Sequence, residues 1–260
     1  MMVSDEEKRW IVVGIAMNKI AAPVWRDAIK QGMDTNYRNL DNHCQHLTPP
    51  CTLKTLTHGQ VRADPILRNL KFQNINNNYL VHGTCMCNYN FRINSSTDLA
   101  KLYLPDYLAQ FSAFDESLDL TAILRLLGHK KYMPTPLFCP FTQASADDVR
   151  ENVRNKWGHV DVTEWTEALF NDCFDKLKTL VRSLGLTACV EKTTLDQMDD
   201  WQTKGTVYKH HVIRRKSNFD VISQRRGDKK TLIAEYTKLQ QFLLSKQVSV
   251  CKEGHYTHIH

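Results

Sequence analysis

Apolar positions recur at helical spacing through much of the first 200 residues. Trp10, Val13, Met17 and Ile20 stand three and four residues apart, which puts them on one face of a helix. Ser4 and Glu7 ahead of them form a capping-box pattern, in which each side chain satisfies an otherwise orphan backbone N–H. Pro23 lacks a donor and is expected to kink or end this helix, with a second helical piece over 24–40. Helical signals resume at Ser96-Thr97-Asp98 and run to Phe114, with an interruption expected at Pro105. Leu120, Ile123, Leu124 and Leu127 predict the next helix, with Gly128 as a left-handed stop. After a loop marked by Pro134, Pro136 and Pro140, Ser145 and Asp148 predict a helix start, Val149, Val153 and Trp157 its inward stripe, and Gly158 its end. A further helix is expected from Asp161, turning Trp165, Leu169, Leu177, Leu180 and Leu184 inward and closing on a Schellman-type Gly185-Leu186.

Residues 41–96 break this pattern. Pro49-Pro50, Gly59, the run Asn74-Ile75-Asn76-Asn77-Asn78 and Gly83 leave little periodicity, and a short strand pair is expected near 79–81 and 89–92. So long an irregular insertion is commonly exposed or functional. Beyond Asp200 the pattern weakens again: 206–209 reads as a strand or an extended arm, and 229–245 as a last amphipathic helix with Leu232, Tyr236, Leu239 and Leu243 on one face. The pattern thus predicts a mainly α protein, with a helical domain over 5–200, an irregular insertion over 41–96, and an extension over 201–260. No internal repeat or low-complexity tract is visible.

Charge sharpens the picture of the extension. The net charge of +6 over 260 residues is uneven: 201–260 holds twelve Lys/Arg against four acids, while the rest is slightly acidic. Such asymmetry suits a polyanionic partner, with solubility as the plain alternative. The eight cysteines follow no repeating spacing, the first seven residues are acidic where a secretory signal would be basic, and the apolar stretch 10–25 is interrupted by Asn18 and Lys19. Reduced thiols in the cytosol or nucleus, no membrane and an unglycosylated Asn94-Ser95-Ser96 are therefore expected. Walker, Rossmann and Gly-x-Ser-x-Gly patterns are missing from the sequence. His43, Cys44, His46 and Cys51, and His82, Cys85 and Cys87, are ligand types, but Cys85-Met86-Cys87 is too tight for a zinc knuckle. Free thiols and loop histidines are expected there, with no metal and no cofactor.

Arg154-Asn155-Lys156-Trp157-Gly158-His159 is the segment that carries candidate chemistry. In an unbroken helix a five-residue step turns by about 140°, so Arg154 and His159 would diverge. Gly158 can release the helix and let His159 turn back. This motif resembles the signature of the HEPN superfamily, which is Arg, four to six residues, then His, often with Asn after the Arg. The helix–junction–helix setting is similar too. Segments 10–27, Ala113-Phe114-Asp115-Glu116, 123–128 and 147–185 resemble the DAZ-interacting zinc-finger-protein-like branch, so the resemblance covers about 8–200.

The resemblance implies RNA as a partner, and a metal-independent endoribonuclease site formed between two copies in a homodimer. Arg154 would hold the scissile phosphate with its planar fork, and His159 would move protons as general base or acid. Asn155 would orient either group. The 2′-hydroxyl would attack and leave a cyclic phosphate, the acid–base help contributing about 10²–10⁴-fold. Arg150, Lys156, Lys209, Arg214, Arg215 and Lys216 would contact phosphates, with Tyr208 stacking on a base; for 209–216 a nuclear-import signal and a solvated arm are the other readings. Many domains of this family bind without cutting, so a non-catalytic interaction and oligomerisation module that recruits protein partners stands beside the nuclease. There, Arg154 pairs with Glu151 or Glu164 and His159 caps a helix, a contribution of about 0.3–1 kcal/mol.

Overall fold

A computed structural model describes residues 4–81, 86–132, 134–159 and 161–211, the last eight as backbone only. The chain divides into two units, Met1–Thr206 and Val207–His260, and the core below belongs to the first. It is mainly helical, and among the described residues no helix is long and apolar enough to cross a membrane.

Helix α1 (Asp5–Ile15) begins on the predicted capping box: the Glu7 N–H donates to Ser4 Oγ at 3.2 Å, and the Ser4 N–H to the Glu7 carboxylate at 2.7 Å. Pro23 does not end the run. A π-helical segment, Ala16–Ala21, leads without a break into α2 (Ala22–Gln45), where Pro23 sits in the first turn. The widened turn displaces the hydrogen-bond ladder, so the missing donor and the ring fall where little is lost.

Trp25, Ile29, Met33, Leu40 and Cys44 form the inner face of α2, all fully buried. They belong to one hydrophobic cluster with Leu99 of α4 (Ser96–Lys101) and Ile123, Leu124 and Leu127 of α5 (Leu120–Leu127). On the far side of that cluster lie Phe170, Phe174, Leu177, Leu180 and Val181 of α8 (Glu167–Ser183). Each such side chain contributes about 1.5–3 kcal/mol of transfer free energy.

Several boundaries differ from expectation, each for a local reason. Helix α4 stops at Lys101 rather than Phe114, with a single 3-10 turn at Asp106–Leu108 after Pro105. Gly128 is not left-handed (its φ is −81°); it is small because a Cβ there would lie 2.9 Å from Asp147 Oδ1. Helix α6 (Pro140–Asp148) starts five residues before Ser145, because Pro140 presets the first turn and Cys139 caps it, leaving Ser145 buried inside. Asp161 caps only a 3-10 turn, and α8 starts from Thr166. Its most buried positions are Phe170, Cys173 and Phe174, while Leu169 and Leu184 only border the core. Gly185 does take the left-handed conformation at φ +65°. Residues 206–209, expected as a strand or arm, continue the helical backbone of α9 (Ala188–His211), and 229–245 lies outside the described residues.

Between α2 and α4 the chain holds one short helix, α3 (His58–Ala63), and a series of 3-10 turns; among the described residues the expected strand pair is absent. Asparagine side chains replace its backbone ladder. Asn74 Nδ2 donates to the carbonyls of Lys101 (2.8 Å) and Leu104 (2.9 Å), and Asn76 Nδ2 to those of Asn90 (2.9 Å) and Arg92 (2.7 Å). Asn78 Nδ2 donates to Phe72 and Asn90 at 2.8 and 2.9 Å, while its Oδ1 accepts the Asn90 N–H at 2.8 Å. Asn76 and Asn77 are left-handed at φ +53° and +58°, a conformation Asn tolerates better than most residues.

Cys87 is disulfide-bonded, against the expectation of reduced thiols; it lies in an exposed turn where a sulfur is accessible to another. Cys44, Cys51, Cys139, Cys173 and Cys189 are free.

The asparagine lattice carries a stability prediction. Asn78→Ala unpairs buried carbonyls and an N–H together, and is expected to lower unfolding free energy by about 2–3 kcal/mol, read by chemical denaturation. A loss within 0.5 kcal/mol of zero, the range of an ordinary surface substitution, would show that the lattice does not hold the segment.

Candidate functional site

The Arg154 segment follows α6 without a break. A second π-helical stretch, Val149–Arg154, passes into the single turn α7 (Asn155–Gly158). Val149 and Val153 are fully buried and anchor this stretch from within, which leaves Arg150 and Arg154 toward the outside. π-Helical turns inside α-helices are frequent at functional sites. Gly158 ends the helix as predicted. His159 leaves it at φ −92°, ψ 80°, its N–H still donating to Asn155 O at 3.0 Å and its carbonyl accepting the Asp161 N–H at 2.6 Å.

Arg154 is half-buried, and its Nη1 donates to Asn155 Oδ1 at 3.3 Å. The same Nη1 lies 4.0 Å from where a Cβ on Gly158 would stand, so the guanidinium reaches along the helix end to the residue before His159. Arg154 and Asn155 are thereby joined, whereas no hydrogen bond joins Arg154 to His159, which is exposed. Among the described residues no carboxylate pairs with Arg154. Glu151 pairs instead with Arg150 at 3.0 Å. His159 caps the helix with its backbone.

Helix α1 fixes this junction from both sides. Trp10 and Trp157 stack with centroids 5.6 Å apart and planes 16° apart. Each also donates its indole N–H to the other's carbonyl: Trp10 Nε1 to Trp157 O at 2.9 Å, and Trp157 Nε1 to Trp10 O at 3.1 Å. Gly14 makes room for this pair, since a Cβ there would lie 2.8 Å from Trp157 Nε1. Beyond the junction, buried Arg9 donates from Nη1 to Trp165 O at 3.0 Å and pairs with Glu6 at 3.4 Å. Trp157 was legible as a stripe residue. The roles of Arg9 and Gly14 were not, although a glycine amid a helical apolar run is itself a sign of close approach.

Other candidates fare differently. Arg150 is held by Asp147 (3.2 Å) as well as Glu151, and Lys156 is exposed near Cys173, whose thiol burial pushes up to about 12. Lys209 lies on the backbone of α9, and Arg214, Arg215 and Lys216 fall outside the described residues. In the irregular segment, His43 Nε2 bonds Asp64 Oδ2 at 2.8 Å; Asp64 also accepts the N–H groups of Ile66 and Leu67, and these bonds outweigh burial and hold its carboxyl below the usual range. Cys44 is buried beside them, its thiol pushed up to about 12. Among the described residues no group of three or more His, Cys, Asp or Glu side chains could hold a metal ion. No protein-family model, curated protein or solved structure matches the chain.

The close approach at Gly14 sets two effects against each other. Gly14→Ala gains up to about 1 kcal/mol of helix propensity, while overpacking against a ring fixed by two hydrogen bonds costs about 1–3 kcal/mol. The expected outcome is net destabilisation with a changed tryptophan emission; a stabilised variant with unchanged emission would show that the ring is not locked.

Proposed function

We propose that this chain is an RNA-binding protein with a HEPN-like helical bundle, and that Arg154 and His159 form a metal-independent endoribonuclease site completed in a homodimer. One observation carries the reading. The Arg154 guanidinium has no carboxylate partner among the described residues and lies along the helix end beside Gly158, with exposed His159 next in the chain. A paired arginine would have its charge satisfied within the fold, whereas this one is available to a phosphate.

In the proposed reaction His159, neutral, takes the proton of the RNA 2′-hydroxyl as its oxygen attacks the adjacent phosphorus. Arg154 balances the charge gathering on the phosphoryl oxygens, with Asn155 steadying the guanidinium through the bond between them. The bond to the 5′-oxygen breaks, that oxygen takes a proton from the second copy's histidine or from water, and a cyclic phosphate and a 5′-hydroxyl remain. A protein-interaction module is the second reading, favoured by the exposure of Tyr79, Tyr107 and Phe141, each at least 60% accessible.

The purified chain is expected to cleave single-stranded RNA in EDTA, leaving cyclic-phosphate ends. Arg154→Ala and His159→Ala are each expected to lower the rate by about 10²-fold or more, with unchanged thermal midpoints because neither side chain is fully buried. Intact RNA with salt-sensitive binding would leave a binding protein without the chemistry. Neither cleavage nor binding would leave the interaction module.

A further inference from the structure

A second concentration of charge lies outside the Arg154–His159 pair. An open cleft of about 380 Å³ is walled by Lys71, Arg125, Lys130, Lys131 and Arg150. His129 and Tyr103 also line it, and Asp147 is its one carboxylate. These residues come from separate stretches of chain: before a 3-10 turn, after α4, along and beyond α5, within α6, and in the second π-helical stretch.

Local chemistry explains why they meet. Gly128 admits Asp147 against the end of α5, and Asp147 then draws in Lys130 Nζ at 3.6 Å and Arg150 Nη2 at 3.2 Å. The Lys71 N–H donates to Leu102 O at 3.2 Å, which pins that lysine beside Tyr103. Among the described residues Lys71, Arg125 and Lys131 have no ion-pair partner. Arg125 Nε is buried and unpaired, a donor left open. The His129 ring contacts Tyr103 and Tyr132 at 5.1 and 4.8 Å between centroids. Burial first, then the charges of Lys71 and Lys131, holds its pKa below the ordinary histidine value.

We infer that this cleft is an anion site for a condensed phosphate, a di- or triphosphate group carried by a small ligand. Five cations facing one carboxylate repel one another, and a bound anion relieves that repulsion. Arginine and lysine together supply the forked and point-charge donors that phosphate oxygens take. The shape separates a condensed phosphate from an RNA backbone. A diester strand spreads single charges along a groove, while these cations converge on a cleft of small-ligand size, as a triphosphate's several charges require. The sequence offered no sign of it, because its lysines and arginines sit in five segments with no shared spacing.

The test is calorimetric titration of the full chain with tripolyphosphate, adenosine triphosphate, orthophosphate and a short single-stranded RNA. Tripolyphosphate and adenosine triphosphate are each expected to bind at one site at least about ten-fold tighter than orthophosphate, the tighter of the two naming the source. Lys71→Ala/Lys131→Ala removes two exposed, unpaired cations and is expected to weaken both by about ten-fold or more, while Lys192→Ala, on exposed α9, changes neither. The double variant is also expected to keep any RNA cleavage. The inference is overturned if tripolyphosphate binds no tighter than orthophosphate, if the double variant binds it unchanged, or if the variant loses RNA and not tripolyphosphate.

Discussion

Two tryptophans 147 residues apart hold each other by ring and backbone at once, and the geometry of the candidate site rests on them. Each indole hydrogen bond contributes about 0.5–1.5 kcal/mol net, and the stacked rings add about 0.5–1.5 kcal/mol. The pairing is reciprocal, so it fixes translation and rotation together; one indole alone could swivel about its single bond. Gly14 sets the depth at which Trp157 lies on α1, and Arg9 grips the far side of the junction through Trp165. Between those two grips the chain runs from Trp157 through Gly158 and His159, and both of its ends are anchored to the same helix.

The capping box at Ser4, the stripe of Val149 and Val153, the stop at Gly158 and the left-handed Gly185 were legible in the sequence, because each depends on neighbours a few residues away. Where a distant partner decided, the sequence misled. Gly128 looked like a helix stop, yet it is small because Asp147 lies against it. The asparagine run looked like a turn between strands, yet its amides bind carbonyls up to thirty residues away. Pro23 looked like a break, yet the wider turn before it took up the fault. Arg154 and His159 could be picked out by type and spacing. Their support from α1 and the cleft around Arg125 could not, since both are made by folding.

The buried polar groups divide the molecule into rigid and open parts. Asp64, Asn78 and Arg9 are enclosed and satisfied by named partners, and they fasten irregular chain to the helical core. Arg125 Nε is enclosed and unsatisfied. A donor left without an acceptor costs about 1–3 kcal/mol, which is why it marks a place where the fold alone is incomplete.

The π-helical stretch before Asn155 amounts to one extra residue within a helix. In ordinary α geometry each residue advances the side chains by about 100°, so shortening the stretch by one would swing Arg154 and everything after it around the axis by that angle. Trp157 would then face away from Gly14, and His159 would emerge on another side of the bundle. The direction in which the site faces is therefore recorded as a count of residues, not in the identity of any one of them. A chain of near-identical composition, one residue shorter between Asp148 and Asn155, would keep the motif and its chemistry and aim them elsewhere.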